Sequence, residues 1–598
     1  MKKEWALSND KALLNFSRKY CVTDDEVLES EGFRSVLSHF LRKNKDQYSR
    51  TNRLLTDEFK DADTAEKIEE LTTIFKLLTV MDSRRIAAAF PQYRNLYEER
   101  TEWRHLIEGI YKYWRGLERY GFILEDKGTE GLLVNGGFID TKTQFDELIL
   151  NLYRKISNNT STFKPTVYRQ VPAGTNVAMI LKEILWPVPT DYAMLSRVEF
   201  IKTTVLETPF ITYPKRNKRD GLFKEVKTNP LPRMGMNEDH FFCYPAKVGG
   251  LLAFIYIHRD FLTHGVSLSN LFELATEAEI AGRKPDLILL FGADNHEEER
   301  ETIFFDDIEN QIMLGVVSHH EAHDYFGYMK KMVLTLHNLV QIKRGHLPIH
   351  GAMVQIVLKD GHMANVVIVG DSGAGKSESI EAFRSLAEDH IADMTIIFDD
   401  MGTFTLDTDR GITGTGTEIG AFVRLDDLDT GYAFKELDRS IFMNPDKINA
   451  RLINPVATYR EIMQGLPVDI CLYANNYQVL QDGENAVKRF ADAQEAIAVF
   501  RAGRRQAKGT TTEVGETTSY FANPFGPAQK QEETDVLLED YFHALFEKNV
   551  IVGELRTQLG VDGFEKKGPE QAAIDLFGVI RELAEKSCMS HKPQSGCR

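Results

Sequence analysis

The sequence predicts a soluble α/β protein carrying a helical N-terminal extension, on three observations. The first 130 or so residues are poor in Gly and Pro and repeat apolar side chains at helical spacing. From about 160 to 350, short apolar runs alternate with helical stretches. Between 366 and 400, a strand, a glycine-rich loop, a helix and a strand ending in acid follow one another, the order of a mononucleotide-binding unit.

Each segment carries its own signal. Phe33, Val36, Leu37, Phe40 and Leu41 share one helical face, as do Leu71, Ile74, Phe75, Leu78 and Met81. That pattern predicts a packing or assembly module without chemistry of its own. The runs 251–257 and 287–291 read as strands and 268–281 as a helix. Residues 366–369 form a buried strand, Ile380, Phe383 and Leu386 mark one face of the next helix, and 394–398 is a strand running into Asp399 and Asp400. Boundaries are expected near 155, 345 and 586, with 587–598 as a loose tail.

Composition narrows the function classes. The chain has 598 residues, room for more than one domain, with ordinary apolar (42%) and charged (27%) fractions. A net charge of −17 argues against broad nucleic-acid or acidic-membrane binding, while leaving room for a local cationic site. The five cysteines, Cys21, Cys243, Cys471, Cys588 and Cys597, are scattered and form no CxxC pair. They argue against a disulfide framework or thiolate zinc site and fit a reducing cytoplasm. No apolar core follows Met1-Lys2-Lys3, and no run of about 18 apolar residues predicts a spanning helix.

The strongest motif is Gly370-Asp371-Ser372-Gly373-Ala374-Gly375-Lys376-Ser377, a complete GxxxxGK[ST] placed after a strand and before a helix. Glycines let backbone amides turn toward phosphates, and the helix N-terminus adds its dipole. Lys376 offers charge to the terminal phosphates and Ser377 a hydroxyl to Mg²⁺. Asp399 and Asp400 stand where a metal-facing acid belongs.

Upstream lies Tyr325-Phe326-Gly327-Tyr328-Met329-Lys330-Lys331, then His350 nineteen residues after Lys331. This order, followed by the P-loop and Asp399-Asp400, resembles phosphoenolpyruvate carboxykinase. Asn449-Ala450-Arg451-Leu452-Ile453-Asn454-Pro455 and Phe521-Ala522-Asn523-Pro524-Phe525-Gly526 extend the resemblance over about 300 to 560. Arg216-Asn217-Lys218-Arg219-Asp220 reads equally as a basic surface turn or as a counterpart that resembles the family's substrate-binding Arg-Ser-Pro-Lys-Asp.

The resemblance implies a two-lobed carboxykinase-like core: a helical extension over 1–155, a substrate-binding α/β domain over 156–345 and a P-loop nucleotide domain over 346–586. It implies that Lys331, His350 and Asp400 hold Mn²⁺, with Ser377 and Asp399 serving the nucleotide's Mg²⁺. Tyr325, Arg216 and Arg451 would contact substrate, and Lys330, Lys331, Lys376, Asp399 and Arg451 would carry the chemistry. The implied reaction is that of a gluconeogenic lyase: oxaloacetate and ATP, GTP or another phosphoryl donor become phosphoenolpyruvate and CO₂ through an enolate. A lysine ligand must be neutral, and a neighbouring cation such as Lys330 depresses its pKa.

The loop 370–378 after His350-Gly351 is closer to HPr kinase/phosphorylase, a relative with the same core fold. That wording keeps open an ATP-dependent protein or small-molecule kinase in which Asp399 or Asp400 is the base. The Lys330-Lys331 pair, absent from that kinase pattern, favours the carboxykinase. A non-catalytic nucleotide sensor is the third reading. The expected partners are small molecules, with an oligomer through the helical extension, and neither nucleic acid nor membrane.

Overall fold

The structure is a computed structural model. It describes the chain except residues 1–4, 9, 17–20, 45–53, 56, 60–61, 125–131, 162–172, 220, 296–299, 372, 387–390, 408–410, 426–436, 438, 482, 508–514 and 591–598. For 44, 132–136, 295, 377, 381, 384–386 and 586–590 it describes the backbone alone. The chain forms two compact units: Met1–Glu183 with Glu199–Phe210, and Ile184–Val198 with Ile211–Arg598. It is mixed α/β, and among the described residues no helix is long and apolar enough to cross a membrane.

The first unit has helices whose starts are encoded locally. The Asp63 carboxylate accepts the Glu66 N–H, and Glu66 accepts the Asp63 N–H, closing the first turn of Thr64–Val80. Thr23 and Glu26 do the same for Asp24–Glu29. Val36, Leu37, Phe40 and Leu41 join Leu71, Ile74, Phe75 and Leu78 in one core with Trp103 and Ile156. Burying each such side chain contributes roughly 1.5–3 kcal/mol, which holds helices that propensity alone leaves marginal.

This unit is not helical throughout, contrary to the sequence expectation. Trp5–Ser8, Lys11–Asn15, Glu118–Leu124, Val177–Lys182 and Phe200–Leu206 are strands paired in that order, antiparallel at both ends and parallel between. The first two span only four and five residues, too short for a periodicity to register. Glu118–Leu124 follows the helix Arg100–Gly116 after one residue, so its apolar run merges with the helical pattern.

In the second unit, Leu251–His258 runs antiparallel to Phe241–Val248 and parallel to Leu287–Asn295. Leu287–Asn295 is parallel to Ile312–Ser318, against which Thr302–Asp307 runs antiparallel. Leu251–His258 and Leu287–Asn295 are buried on both faces along nearly their whole length, which is why they contain continuous apolar runs. The stretch 268–281 is not the single helix its pattern suggested. It breaks into Leu268–Asn270, a two-residue strand Glu273–Leu274 and the short helix Glu277–Ile280. Thr276 and Glu279 form a fresh capping box there, so the backbone restarts rather than continues.

A second sheet runs Leu466–Pro467, Gly411–Gly416, Ile391–Asp407, Leu347–Leu358, Met363–Val369, Ile470–Asn475, Ile551–Arg556, Val487–Arg489. Alternate residues of Met363–Val369 enter different cores. Val366 and Ile368 pack in the cluster of Phe383 and Leu576, Val367 and Val369 in that of Phe398, Tyr473 and Leu538. A smaller sheet pairs Gly420–Arg424 and Ile441–Met443 with Arg451–Pro455. The helix Lys567–Ser590 takes in the start of the expected tail; the rest of it, 591–598, lies outside the described residues.

Candidate functional site

The strand Met363–Val369 delivers the phosphate-type loop, and Lys376–Leu386 is the helix that leaves it. Gly373 and Gly375 adopt φ of +78° and +94°. A Cβ at Gly375 would lie 2.6 Å from Thr557 Oγ1, so only glycine allows this approach. The loop carbonyls are held from outside. The Thr557 hydroxyl donates to Ala374 O at 2.9 Å, and Asn476 Nδ2 donates to Gly373 O at 2.9 Å. Lys376 is buried, its Nζ donating to Asp371 O at 3.1 Å across the loop. Gly370 N–H donates to His350 O at 3.0 Å, tying the loop to the next strand. Ser372 lies outside the described residues, and Ser377 is placed by its backbone alone, in the first turn of the helix.

Beside this loop, three predicted residues converge on Asp400. Lys330 Nζ and Lys331 Nζ each lie 2.6 Å from Asp400 Oδ2, and His350 Nε2 lies 2.9 Å from Oδ1. Lys330 and Lys331 stand on the helix Phe326–Lys343, His350 on Leu347–Leu358 and Asp400 on Ile391–Asp407, where it opposes Gly351. Asp400 has φ of +137°, a conformation that costs energy for a side-chain-bearing residue and is held by its surroundings.

Charge within the cluster is finely set. Burial alone would raise the Asp400 carboxyl, but the two lysines and His350 hold it well below the usual carboxylate range. Burial opposes the charge on Lys330, yet Asp400 and Glu418 overcome it and raise its pKa. Lys331 goes the other way: burial and the neighbouring Lys330 lower it despite Asp400. Of the pair, Lys331 is therefore the lysine more readily made neutral. Burial also lowers His350.

Two aromatic rings gather the remaining groups. The Phe422 ring has the Arg451 guanidinium at 5.1 Å, Lys330 Nζ at 5.5 Å and the Tyr325 ring at 6.2 Å. Arg451 Nε is buried without a hydrogen-bond partner among the described residues. Phe525 lies 4.6 Å from Lys331 Nζ, 5.2 Å from the Arg219 guanidinium and 5.9 Å from the His350 ring. Of the basic turn, Arg219 comes to this ring, whereas Arg216 is exposed and pairs with Glu321 at 3.4 Å. Asp399 is half-buried and opposes Ala352 in the sheet.

Two residues at the site escaped the sequence reading. Glu418 is buried with its Oε1 3.0 Å from Lys330 Nζ, an ion pair within the site. Burial pushes its pKa up to about 7 against the pull of Lys330. Its signal was an acid closing the Gly-Thr-Gly-Thr run 414–417. Arg505 Nε lies 3.0 Å from Asp371 Oδ2, both side chains buried, and so neutralises an acid inside the glycine-rich loop. The basic pair Arg504-Arg505 was its only local mark.

The arrangement sets a loop of phosphate-binding form beside a buried cluster of nitrogen and carboxylate donors, with Arg451 and Tyr325 nearby. His350 Nδ1 donates to Ala522 O at 2.7 Å, which leaves Nε2 as an acceptor facing the Asp400 carboxylate. Two acceptors at 2.9 Å require a proton or another cation between them. An imidazole N–H fixed on a backbone carbonyl is the support that metal-ligating histidines use. Among known proteins, no family model and no curated sequence matches this chain.

Proposed function

We propose that this chain catalyses a phosphoenolpyruvate carboxykinase-type reaction, converting oxaloacetate and a nucleoside triphosphate to phosphoenolpyruvate, CO₂ and the diphosphate. The observation that carries the proposal is the meeting of Lys331 and His350 on Asp400, one hydrogen bond from the P-loop through Gly370 and His350. The corresponding fold reading is a two-lobed carboxykinase-like core with a P-loop nucleotide domain.

The donor set fits a divalent cation: a lysine lowered toward neutrality, an imidazole nitrogen with its other nitrogen engaged, and a carboxylate. Lys331, His350 and Asp400 would hold Mn²⁺, and Ser377 with Asp399 the Mg²⁺ of ATP, GTP or another donor. When bound, the metal supplies positive charge beside the oxygen on which the enolate charge develops. The protein does the rest. Arg451 and Tyr325, brought to Phe422, orient the substrate carboxylate. Lys330, kept charged by Asp400 and Glu418, adds positive potential at the acceptor oxygen. The loop glycines and Lys376 hold the phosphate chain so that the enolate oxygen meets the terminal phosphorus in line.

The test is direct. Purified protein given oxaloacetate, Mn²⁺ and ATP, GTP or pyrophosphate should form phosphoenolpyruvate. Lys331→Ala should lose most of that activity while ATP binding survives. No product with any donor refutes the reaction, and phosphorylation of a protein or sugar hydroxyl instead would assign a kinase. Equal loss of activity and ATP binding in Lys331→Ala would refute the placement of the metal.

A further inference from the structure

Apart from the Asp400 cluster, a second group of ligand-type side chains lies at the ends of two strands of the other sheet. His258 closes Leu251–His258, Asp260 follows it in a short turn, and His319 follows Ile312–Ser318. Those two strands flank Leu287–Asn295, all three parallel, so the residues meet at their carboxyl ends. In open α/β sheets, ligands bind outside the carboxyl ends of parallel strands.

The atoms are close. His258 Nδ1 lies 3.6 Å and His319 Nε2 3.0 Å from Asp260 Oδ2. One ligand atom from each of the three residues can be chosen so that all lie within 4.8 Å of one another. Tetrahedral coordination at bond lengths of about 2.0–2.1 Å places neighbouring ligands roughly 3.3 Å apart, midway between the two observed separations. The backbone is shaped for the cluster. Gly292 has φ of +91°, and a Cβ there would lie 2.6 Å from the His258 Cβ. The pairing of Leu287–Asn295 with Ile312–Ser318 shifts register at this glycine, and His319 N–H donates to Ala293 O at 2.8 Å. The His258 and His319 rings meet edge to face at 4.7 Å. His319 is the most open of the three, with a third of its side chain exposed, so the free side of the cluster faces solvent.

We propose that His258, Asp260 and His319 bind one first-row divalent transition metal ion, zinc(II) foremost, with a coordination position left to water or an anionic ligand. Two imidazoles and one carboxylate suit this class of cation and not the harder Mg²⁺ or Ca²⁺. The Asp260 N–H contact to His258 Nδ1, at 3.3 Å, is given up on binding. The proposal does not depend on the carboxykinase reading.

The test uses the full chain stripped with chelator and titrated with Zn²⁺ against a chromophoric competitor, and separately with Co²⁺ followed by visible absorption. A tight equivalent that persists in Lys331→Ala, where the Asp400 cluster has lost a ligand, is expected, and it should be weakened about 100-fold or more in His319→Ala and Asp260→Asn. Equal affinity in wild type and both triad variants would overturn the site, leaving His319 and Asp260 as an ion pair only. X-ray absorption on zinc-loaded wild type decides the matter even if the variants misfold. At one equivalent of zinc, a shell with two imidazoles supports the site, and one with fewer than two refutes it.

Discussion

Replacing Arg505 with Met removes the guanidinium 3.0 Å from the Asp371 carboxylate, inside the phosphate-type loop. At that separation and an effective dielectric near 20, the attraction is about 5 kcal/mol, and losing one partner of a buried pair costs about 3–5 kcal/mol. The cost arises because Asp371, also 3.6 Å from His350 Nδ1, keeps its charge in a buried setting without that guanidinium. The second change, Asp371→Asn, removes the charge, so Arg505→Met/Asp371→Asn should recover about 2–3 kcal/mol relative to the sum of the single changes. Hydrogen–deuterium exchange reads this locally, without assuming that a chain of this size unfolds in one step. Amides of Met363–Val369 and Lys376–Leu386 should lose roughly two to four powers of ten in protection in Arg505→Met, and the double variant should lose about two powers of ten less than the two single losses added together. ATP affinity should show the same non-additivity. Effects that add within about 0.5 kcal/mol, or protection unchanged in Arg505→Met, would refute the coupling.

Three further outcomes follow from particular contacts. Gly375→Ala forces a Cβ to 2.6 Å from Thr557 Oγ1 at a φ of +94°, and ATP binding should weaken sharply while far-UV circular dichroism is retained. Unchanged affinity by fluorescent-nucleotide titration would contradict the loop geometry. Cys243 and Cys471 are fully buried, and burial pushes the Cys471 thiol up to about 12. Burial raises the Cys243 thiol as well, so the reactive thiolate is scarce in both; both cysteines should resist iodoacetamide at pH 8 in native protein and react after urea, and rapid native labelling by mass spectrometry would contradict this burial. In the first unit, buried Arg119 donates to the carbonyl oxygens of Trp114, Arg115, Leu117 and Gly174. Arg119→Leu strands these acceptors and should destabilise that unit by about 3–5 kcal/mol, seen as a lower temperature for loss of tryptophan fluorescence; an unchanged transition would argue against the network.

Much of the candidate site was legible in the order of residues. The run 370–377 follows a strand and opens a helix, because glycine spacing and apolar periodicity are local properties. Lys330-Lys331, His350 and Asp399-Asp400 stood out by type and spacing, and three of them meet on Asp400 as neighbours. Glu418 and Arg505 did not stand out. Each matters only through a partner far along the chain, Glu418 with Lys330 and Arg505 with Asp371, and a lone acid or basic pair carries no local mark of that. The strands of the first unit were missed for the opposite reason: they are too short for a period to show.

Where the glycine-rich loop sits and which helical faces are apolar could be read from local order, since both depend on residues within a few positions of one another. Which of two adjacent lysines has its pKa lowered depends on contacts made in three dimensions. Lys330 alone reaches both Asp400 and Glu418, and those carboxylates raise its pKa, while burial and Lys330 itself lower that of Lys331. The meeting of His258 and Asp260 with His319 was likewise decided in three dimensions, because parallel pairing brings together strand ends some sixty residues apart.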